Sequence, residues 1–298
     1  MVIKKTPNAH VPGHNRGTTV MIQVYKAGNS ICTQKVFITL AEKGVAYTTH
    51  DVDLFNNEQY RPEYLAINPK GVVPALVHDH RVITESTLIC EYLDDTFAEP
   101  RLIPAAPYER TRMRKWSKAV DEGLFEATRE LSFSAMFRER MRGMTTAQRE
   151  GRFTNVGDPE KRARFMSTYE LGVESPYVFQ AIANFEIAFR DMEEALALDG
   201  NGWLAGSALS LADINMMPFV ARLAYLQLLD VWTESRPHCR AWWTRVQQLP
   251  SFKAGVREPL TAREMELMAV SGARMRDRVA ERRNDYLALL AAAPRASA

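Results

Sequence analysis

The chain has 298 residues, 46% of them apolar and 25% charged, with 38 basic against 36 acidic side chains and a net charge of +2. That length accommodates two compact domains or one large one, the composition excludes a disordered or fibrous chain, and the charge is too balanced for a nucleic-acid-binding surface. Three cysteines, Cys32, Cys90 and Cys239, widely spaced and without a C-x-x-C pair, argue against a disulfide framework, and no apolar run reaches signal-peptide or membrane-span length, so a cytoplasmic protein is expected.

In chain order, residues 1–20 read as a loose N-terminal arm, and Met21 to Tyr25 as a first strand that breaks at Gly28-Asn29. Ile31 to Lys43 has helical apolar spacing and stops at Gly44, a residue suited to a left-handed helix terminus. Val45 to Leu54 predicts a second strand, Tyr60 to Ile67 a short helical turn, and Pro74 to His78 with Arg81 to Thr84 a hairpin across Asp79. Ser86 to Asp95 carries Leu88, Ile89, Tyr92 and Leu93 at helical spacing, which completes a βαβαββα order for an α/β domain over residues 21–99.

Residues 100–107 contain Pro100, Pro104 and Pro107 and read as a linker. Beyond them Tyr108 to Met141, Pro176 to Leu198, Leu211 to Leu228 and Cys239 to Gln248 all predict helices, so residues 108–258 form an all-helical bundle. Gly143 to Glu174 is polar and Arg-rich and reads as a solvated loop or short helix. Residues 259–298 predict an Arg-rich helical extension ending in an Ala/Pro/Ser tail.

Chemistry concentrates at three places. Ser30 and Cys32 stand where the first strand turns into the first helix, where unpaired N–H groups and the positive dipole end favour an anion. A Ser there can donate to a thiolate and a Cys there can ionise more easily, or Ser30 simply caps the helix and Cys32 packs as an apolar residue. Val73-Pro74 precedes a strand, where proline is tolerated and a free backbone edge can pair with an extended ligand. Glu85-Ser86 precedes the next helix, where a carboxylate, a hydroxyl and helical N–H groups can grip an amino acid, or merely cap. Ser210 to Asp213 fits a capping box, His78 and His80 flank a turn without a third ligand and predict no metal site, and Phe125, Phe133, Met136 and Phe137 read as core with a possible pocket wall.

Taken together, Asn29 to Cys32, Leu40 to Gly44, Asn68 to Pro74, Glu85-Ser86 and Ser210 to Ile214 resemble the glutathione transferase superfamily over Met21 to Gly255. The resemblance implies a thioredoxin-like glutathione-binding domain with a mixed four-stranded sheet, then a helical domain for a hydrophobic electrophile, and a homodimer or heterodimer with a related chain. It implies that Val73 and a cis Pro74 pair with the cysteinyl backbone of glutathione, with Lys70 in the same stretch among the glutathione contacts. Glu85 and Ser86 would hold the γ-glutamyl end, and Ser30, or failing it Cys32, would face the sulfur. Glu85 to Leu93, Met113 to Glu122 with its Val120-Asp121-Glu122, and the long polar insertion after it look like bacterial glutathione-dependent β-aryl ether cleaving enzymes, whereas Ser30-Ile31-Cys32 and the stretch around Leu211 to Pro237 look like reductive dehalogenases of chlorinated hydroquinones. Val72 stands where many relatives carry Gln, and the tail past Gly255 is longer than usual. The expected activity is glutathione transfer to an aromatic electrophile, β-aryl ether cleavage included. Its alternatives are Cys32-dependent thiol transfer or reductive dehalogenation, and a non-catalytic binding protein of the same fold.

Overall fold

In a computed structural model, which describes residues 21–292, the chain opens with β1 (Ile22–Lys26), α1 (Ile31–Glu42), β2 (Tyr47–Asp51), α2 (Pro62–Leu65), β3 (Ala75–His78), β4 (Arg81–Thr84) and α3 (Ser86–Thr96). The N-terminal arm and the end of the Ala/Pro/Ser tail lie outside the described residues. The sheet order is β2-β1-β3-β4, with β1 parallel to β2 and antiparallel to β3, and β3 antiparallel to β4. This is a thioredoxin-like domain with a mixed four-stranded sheet, in which the more buried β1 and β3 are central and the more exposed β2 and β4 form the edges.

The rest is helical: α4 (Pro107–Ala119), α5 (Phe125–Ser132), α6 (Arg138–Arg142), α7 (Thr146–Thr154), α8 (Pro159–Leu171), α9 (Pro176–Asp199), α10 (Leu211–Tyr225), α11 (Asp230–Thr233), α12 (Pro237–Val246), α13 (Pro250–Phe252), α14 (Ala262–Ala273) and α15 (Arg276–Ala292). Helices α4, α5 and α6 run on through two π-turns, Val120–Leu124 and Phe133–Phe137, so the single long helix expected over Tyr108 to Met141 is offset twice in register. Such bulges insert one residue into the helical ladder and recur at functional sites.

The polar stretch after Gly143 forms two helices. Thr145 and Gln148 make a capping box at the start of α7, and Asp158 caps α8 with Pro159 at its first position. Those T-x-x-Q and D-P signals decide for helix between the loop and the short helix that the low apolar content left open. None of the α7 residues is buried, which explains why apolar periodicity alone did not decide between loop and helix.

Helix α1 is buried nearly all round, from Ile31 to Leu40, because α3 covers one side and α10 and the Lys253–Arg257 turn the other. The start of α1 therefore lies at the junction of the two domains. At its far end the Lys43 ammonium pairs with the fully buried Asp94 and donates to the Phe97 and Pro100 carbonyls, while Asp94 accepts from the Leu102 and Ile103 amides. This fixes the connecting segment onto the sheet domain. In α10 the Ser210–Asp213 capping box is formed, and buried Asp213 also accepts from Leu204 N and Trp242 Nε1, which ties the 203–210 loop and α12 together. Helix α14 crosses the end of α10 so closely that a Cβ on Gly272 would overlap the Leu226 carbonyl oxygen. No described helix is long and apolar enough to cross a membrane.

Candidate active site

Ser30 is the N-cap of α1: its Oγ accepts from Thr33 N at 3.3 Å and its carbonyl from Gln34 N at 3.0 Å. The simple capping reading of Ser30 is therefore what the geometry shows, and it leaves the hydroxyl proton without an acceptor among the described residues. Cys32 follows on the first turn of the helix, partly exposed. Burial pushes its thiol above the ordinary value, the Lys35 ammonium and the Ser86 hydroxyl pull it back, and the Asp121 and Glu85 carboxylates push it further up. Desolvation of the sulfur thus acts against the eased ionisation that a helix start suggests for Cys32, and exceeds the pull of the nearby cation. Cys90 lies behind it, fully buried, with its thiol pushed up to about 11 by burial.

Entry into β3 is built by Tyr64 and Asn68, whose side chains both donate to the Val72 carbonyl, at 2.6 and 2.8 Å. They hold the loop before the Val73–Pro74 bond, which is cis. The first β1–β3 pair is made at Ala75, and among the described residues Val73 makes no backbone hydrogen bond, so its peptide edge is open to an extended partner.

Glu85 precedes α3 with φ +65°, a left-handed backbone that a non-glycine residue adopts at a cost, and its side chain does not cap the helix. Instead Glu85 Oε1 accepts from Lys70 Nζ at 2.8 Å, which joins the loop before Pro74 to the start of α3. Ser86 is the first residue inside the helix, buried, with its hydroxyl toward the Cys32 sulfur. Ser86 thus faces Cys32 on the first turn of α1, the turn that Ser30 caps, with the Lys70–Glu85 pair beside Ser86. His78, by contrast, is buried at the end of β3, where its Nδ1 shares a hydrogen bond with Tyr92 Oη at 2.7 Å and its ring stacks on Phe97. Phe133 and Met136 are buried, and Phe133 lies 4.3 Å from the Phe165 ring of α8, while Phe125 and Phe137 are partly buried against the core.

Four residues here were not anticipated from the sequence. Lys35 and Thr87 are buried behind Cys32 and Ser86, Asp121 reaches Thr87 from the first π-turn, and Arg222 of α10 donates to the Asn29 carbonyl and Ser132 Oγ. A lysine and an arginine inside otherwise apolar helix faces were the available signals.

A family model for the glutathione S-transferase N-terminal domain matches residues 29–96, and one for the C-terminal domain matches residues 175–250. Protein LigF of Sphingobium sp. strain SYK-6 is 30% identical over 83% of this chain and 99% of its own length. The chain belongs to the glutathione S-transferase family. A tetrachloro-p-hydroquinone reductive dehalogenase of Sphingobium chlorophenolicum is 28% identical over 78% of the transferase chain and 94% of its own. The crystal structure of the β-etherase LigF superposes with a TM-score of 0.69 at 29% identity, covering 80% of this chain and 99% of that one. A theta-class glutathione S-transferase from Xanthomonas axonopodis pv. citri, crystallised with glutathione bound, superposes at 0.57 with 26% identity, covering 81% and 98%. Among the described residues of this transferase, no group of three or more His, Cys, Asp or Glu side chains is placed to share a metal ion.

Proposed function

We propose that this glutathione transferase binds glutathione along the β3 entry and transfers it to a hydrophobic, aromatic electrophile, with β-aryl ethers of lignin-derived type as the first substrate class to test. The observation that carries the reading is that Ser86 faces Cys32 on the helix turn that Ser30 caps, together with a Val73 backbone left without a hydrogen-bond partner among the described residues and a Glu85 carboxylate spared from capping. Glutathione is an extended peptide with a free amino acid at one end. The Val73–Pro74 edge suits its cysteinyl backbone, and Glu85 and Ser86, with Lys70 alongside, suit its γ-glutamyl ammonium and carboxylate.

Ser30 is the sulfur contact in this reading. Its oxygen is spent as the helix cap, so its proton is available to a thiolate, and the α1 N-terminus adds positive potential. The thiolate attacks an ether carbon, the S–C bond forms as the C–O bond breaks, and the aryloxide leaves to be protonated as a phenol. Positioning by the helical domain supplies much of the rate. The likeness to a β-etherase and a reductive dehalogenase supports an aromatic substrate. The chain acts as a dimer in this account, and Val82 on edge strand β4 with Leu88 on α3, 46% and 58% exposed, are apolar residues that a partner would cover.

The experiment is turnover of a glutathione-dependent panel containing a β-aryl ether and a chlorinated hydroquinone. Release of the phenol with formation of a glutathione thioether is the expected result. Dechlorination that depends on Cys32 would replace this reading with thiol exchange, and no retention on a glutathione resin would replace it with a non-catalytic role.

A further inference from the structure

A cation is buried beneath the Ser30–Cys32 turn. Lys35 lies one helical turn after Cys32, with its side chain 0% exposed, and its ammonium donates to Thr87 Oγ1 at 2.8 Å. The Thr87 hydroxyl donates in turn to Asp121 Oδ1 at 2.8 Å, and Asp121 Oδ1 stands 3.7 Å from Lys35 Nζ. Thr87 directly follows Ser86, whose hydroxyl faces the Cys32 sulfur. Three elements from both domains, α1, α3 and the first π-turn, therefore meet immediately behind the residues that line the sulfur position.

A buried ammonium is costly unless an anion balances it. Among the described residues the carboxylate within ion-pair distance of Lys35 is Asp121, and that side chain is 53% exposed, so solvent screens it while the closest partner of Lys35 is a neutral hydroxyl. Positive charge in this desolvated place is thus only partly compensated in the free protein. An anion at the turn above would complete the balance, and the anion that fits a site built around Ser30, Cys32 and Ser86 is a thiolate.

We propose that Lys35 supplies the positive charge that balances a thiolate at the Ser30–Cys32 turn, and that Thr87 and Asp121 position its ammonium for this. The inference rests on reading that turn as the sulfur site. The charged groups facing the turn are Lys35 from α1, Glu85 with its partner Lys70 at the start of α3, Asp121 from the π-turn, Arg222 from α10, and Glu264 of α14, whose carboxylate lies against Gly28 and acts on Arg222. On the Cys32 thiol, Lys35 is the leading influence that opposes burial, and Asp121 acts against it.

The two partners of Thr87 therefore make opposite predictions, which a merely space-filling lysine does not. The probe is the pH dependence of Cys32 alkylation by iodoacetamide in the full chain, without glutathione, followed on the Cys32 peptide by mass spectrometry. The absorbance of bound glutathione thiolate is the second reading. Lys35→Met should raise the apparent thiol pKa by about 1–3 units, the range for loss of a neighbouring opposite charge. Lys35→Arg should restore it toward wild type, and Asp121→Asn should lower it. A Lys35→Met pKa that is unchanged or lowered, or an Asp121→Asn pKa that is unchanged or raised, overturns the proposal. If Lys35→Met does not fold by circular dichroism, the half-exposed Asp121→Asn decides by itself on the same terms. Failure of the wild type to bind glutathione would sink the transferase reading while leaving the Cys32 measurement valid, so the two failures are distinguishable.

Discussion

Replacing Arg222 by methionine separates the stability of the fold from the geometry of its active turn. The guanidinium is buried in α10, and it donates through Nη2 to the Asn29 carbonyl at 2.5 Å and through Nη1 to Ser132 Oγ at 3.1 Å. Burial pulls its pKa down to about 10, well below the ordinary guanidinium value, with Glu264 acting in the other direction. At about 1.4 kcal/mol per unit, burial therefore costs the charged form roughly 3 kcal/mol. Each hydrogen bond from a charged donor is worth about 1.5–3 kcal/mol, so the two nearly offset that cost. Methionine removes both sides of the balance and keeps the apolar volume. The expected change in unfolding free energy is below about 2 kcal/mol, in line with other buried charges replaced by apolar residues. Activity should respond differently, because the loop that carries Ser30 is then no longer held from the helical domain. We expect kcat/KM to fall about 10- to 100-fold, corresponding to roughly 1.4–2.7 kcal/mol of transition-state stabilisation. Urea denaturation and steady-state kinetics with glutathione read the two quantities. Unchanged kcat/KM in a normally folded variant would refute the argument, and a stability loss above about 4 kcal/mol would show that the guanidinium is chiefly structural.

Further outcomes follow from the same structure. Glu85→Ala should weaken glutathione binding by about 1.5–3 kcal/mol, the worth of a hydrogen bond to a charged group, and an unchanged dissociation constant by calorimetry would place the γ-glutamyl contact elsewhere. Glu186 on α9 holds Arg236 and the α15 residue Arg283, and although burial alone would raise its carboxyl, the hydrogen bonds from both arginines hold it below the ordinary value. That contribution is full above the unfolded pKa near 4.3 and is lost as pH falls through the lower folded value, so docking of α15 should weaken in acid. Glu186→Gln should cost about 3–5 kcal/mol at neutral pH and flatten this acid response, with hydrogen exchange along α15 as the measurement. Light scattering at micromolar concentration should give a dimeric mass, and a monomer there would contradict the assembly in the proposed function.

The fold was legible where one side of an element is apolar and the other is not, or where a turn residue marks its end. Gly28-Asn29, Gly44 and the hairpin at Asp79 delimit the sheet domain, and the expected order of strands and helices is the observed one. The register breaks at Val120–Leu124 and Phe133–Phe137 were not legible, since a π-turn keeps helical spacing on both sides and differs only by an inserted residue. Helix α7 was hidden because a polar helix held at its ends has no apolar face, although Thr145 and Gln148 announce it. At the site, Ser30, Cys32 and Ser86 could be placed because they flank helix starts. Lys35, Thr87, Asp121 and Arg222 could not, because their meeting depends on how the two domains pack, which local pattern does not encode.

The central claim, that Ser30 and not Cys32 stabilises the thiolate that reacts, is tested most directly by titrating the thiolate absorbance of bound glutathione in wild type, Ser30→Ala and Cys32→Ala, with turnover measured on the same samples. Ser30→Ala should raise the bound thiol pKa and lower kcat/KM about 10- to 100-fold, since the helix N–H groups remain when one hydrogen bond of about 1.5–3 kcal/mol is lost. Cys32→Ala should keep most activity and leave the titration near wild type. Abolished turnover in Cys32→Ala beside a near-normal Ser30→Ala would contradict the account and make the cysteine the nucleophile.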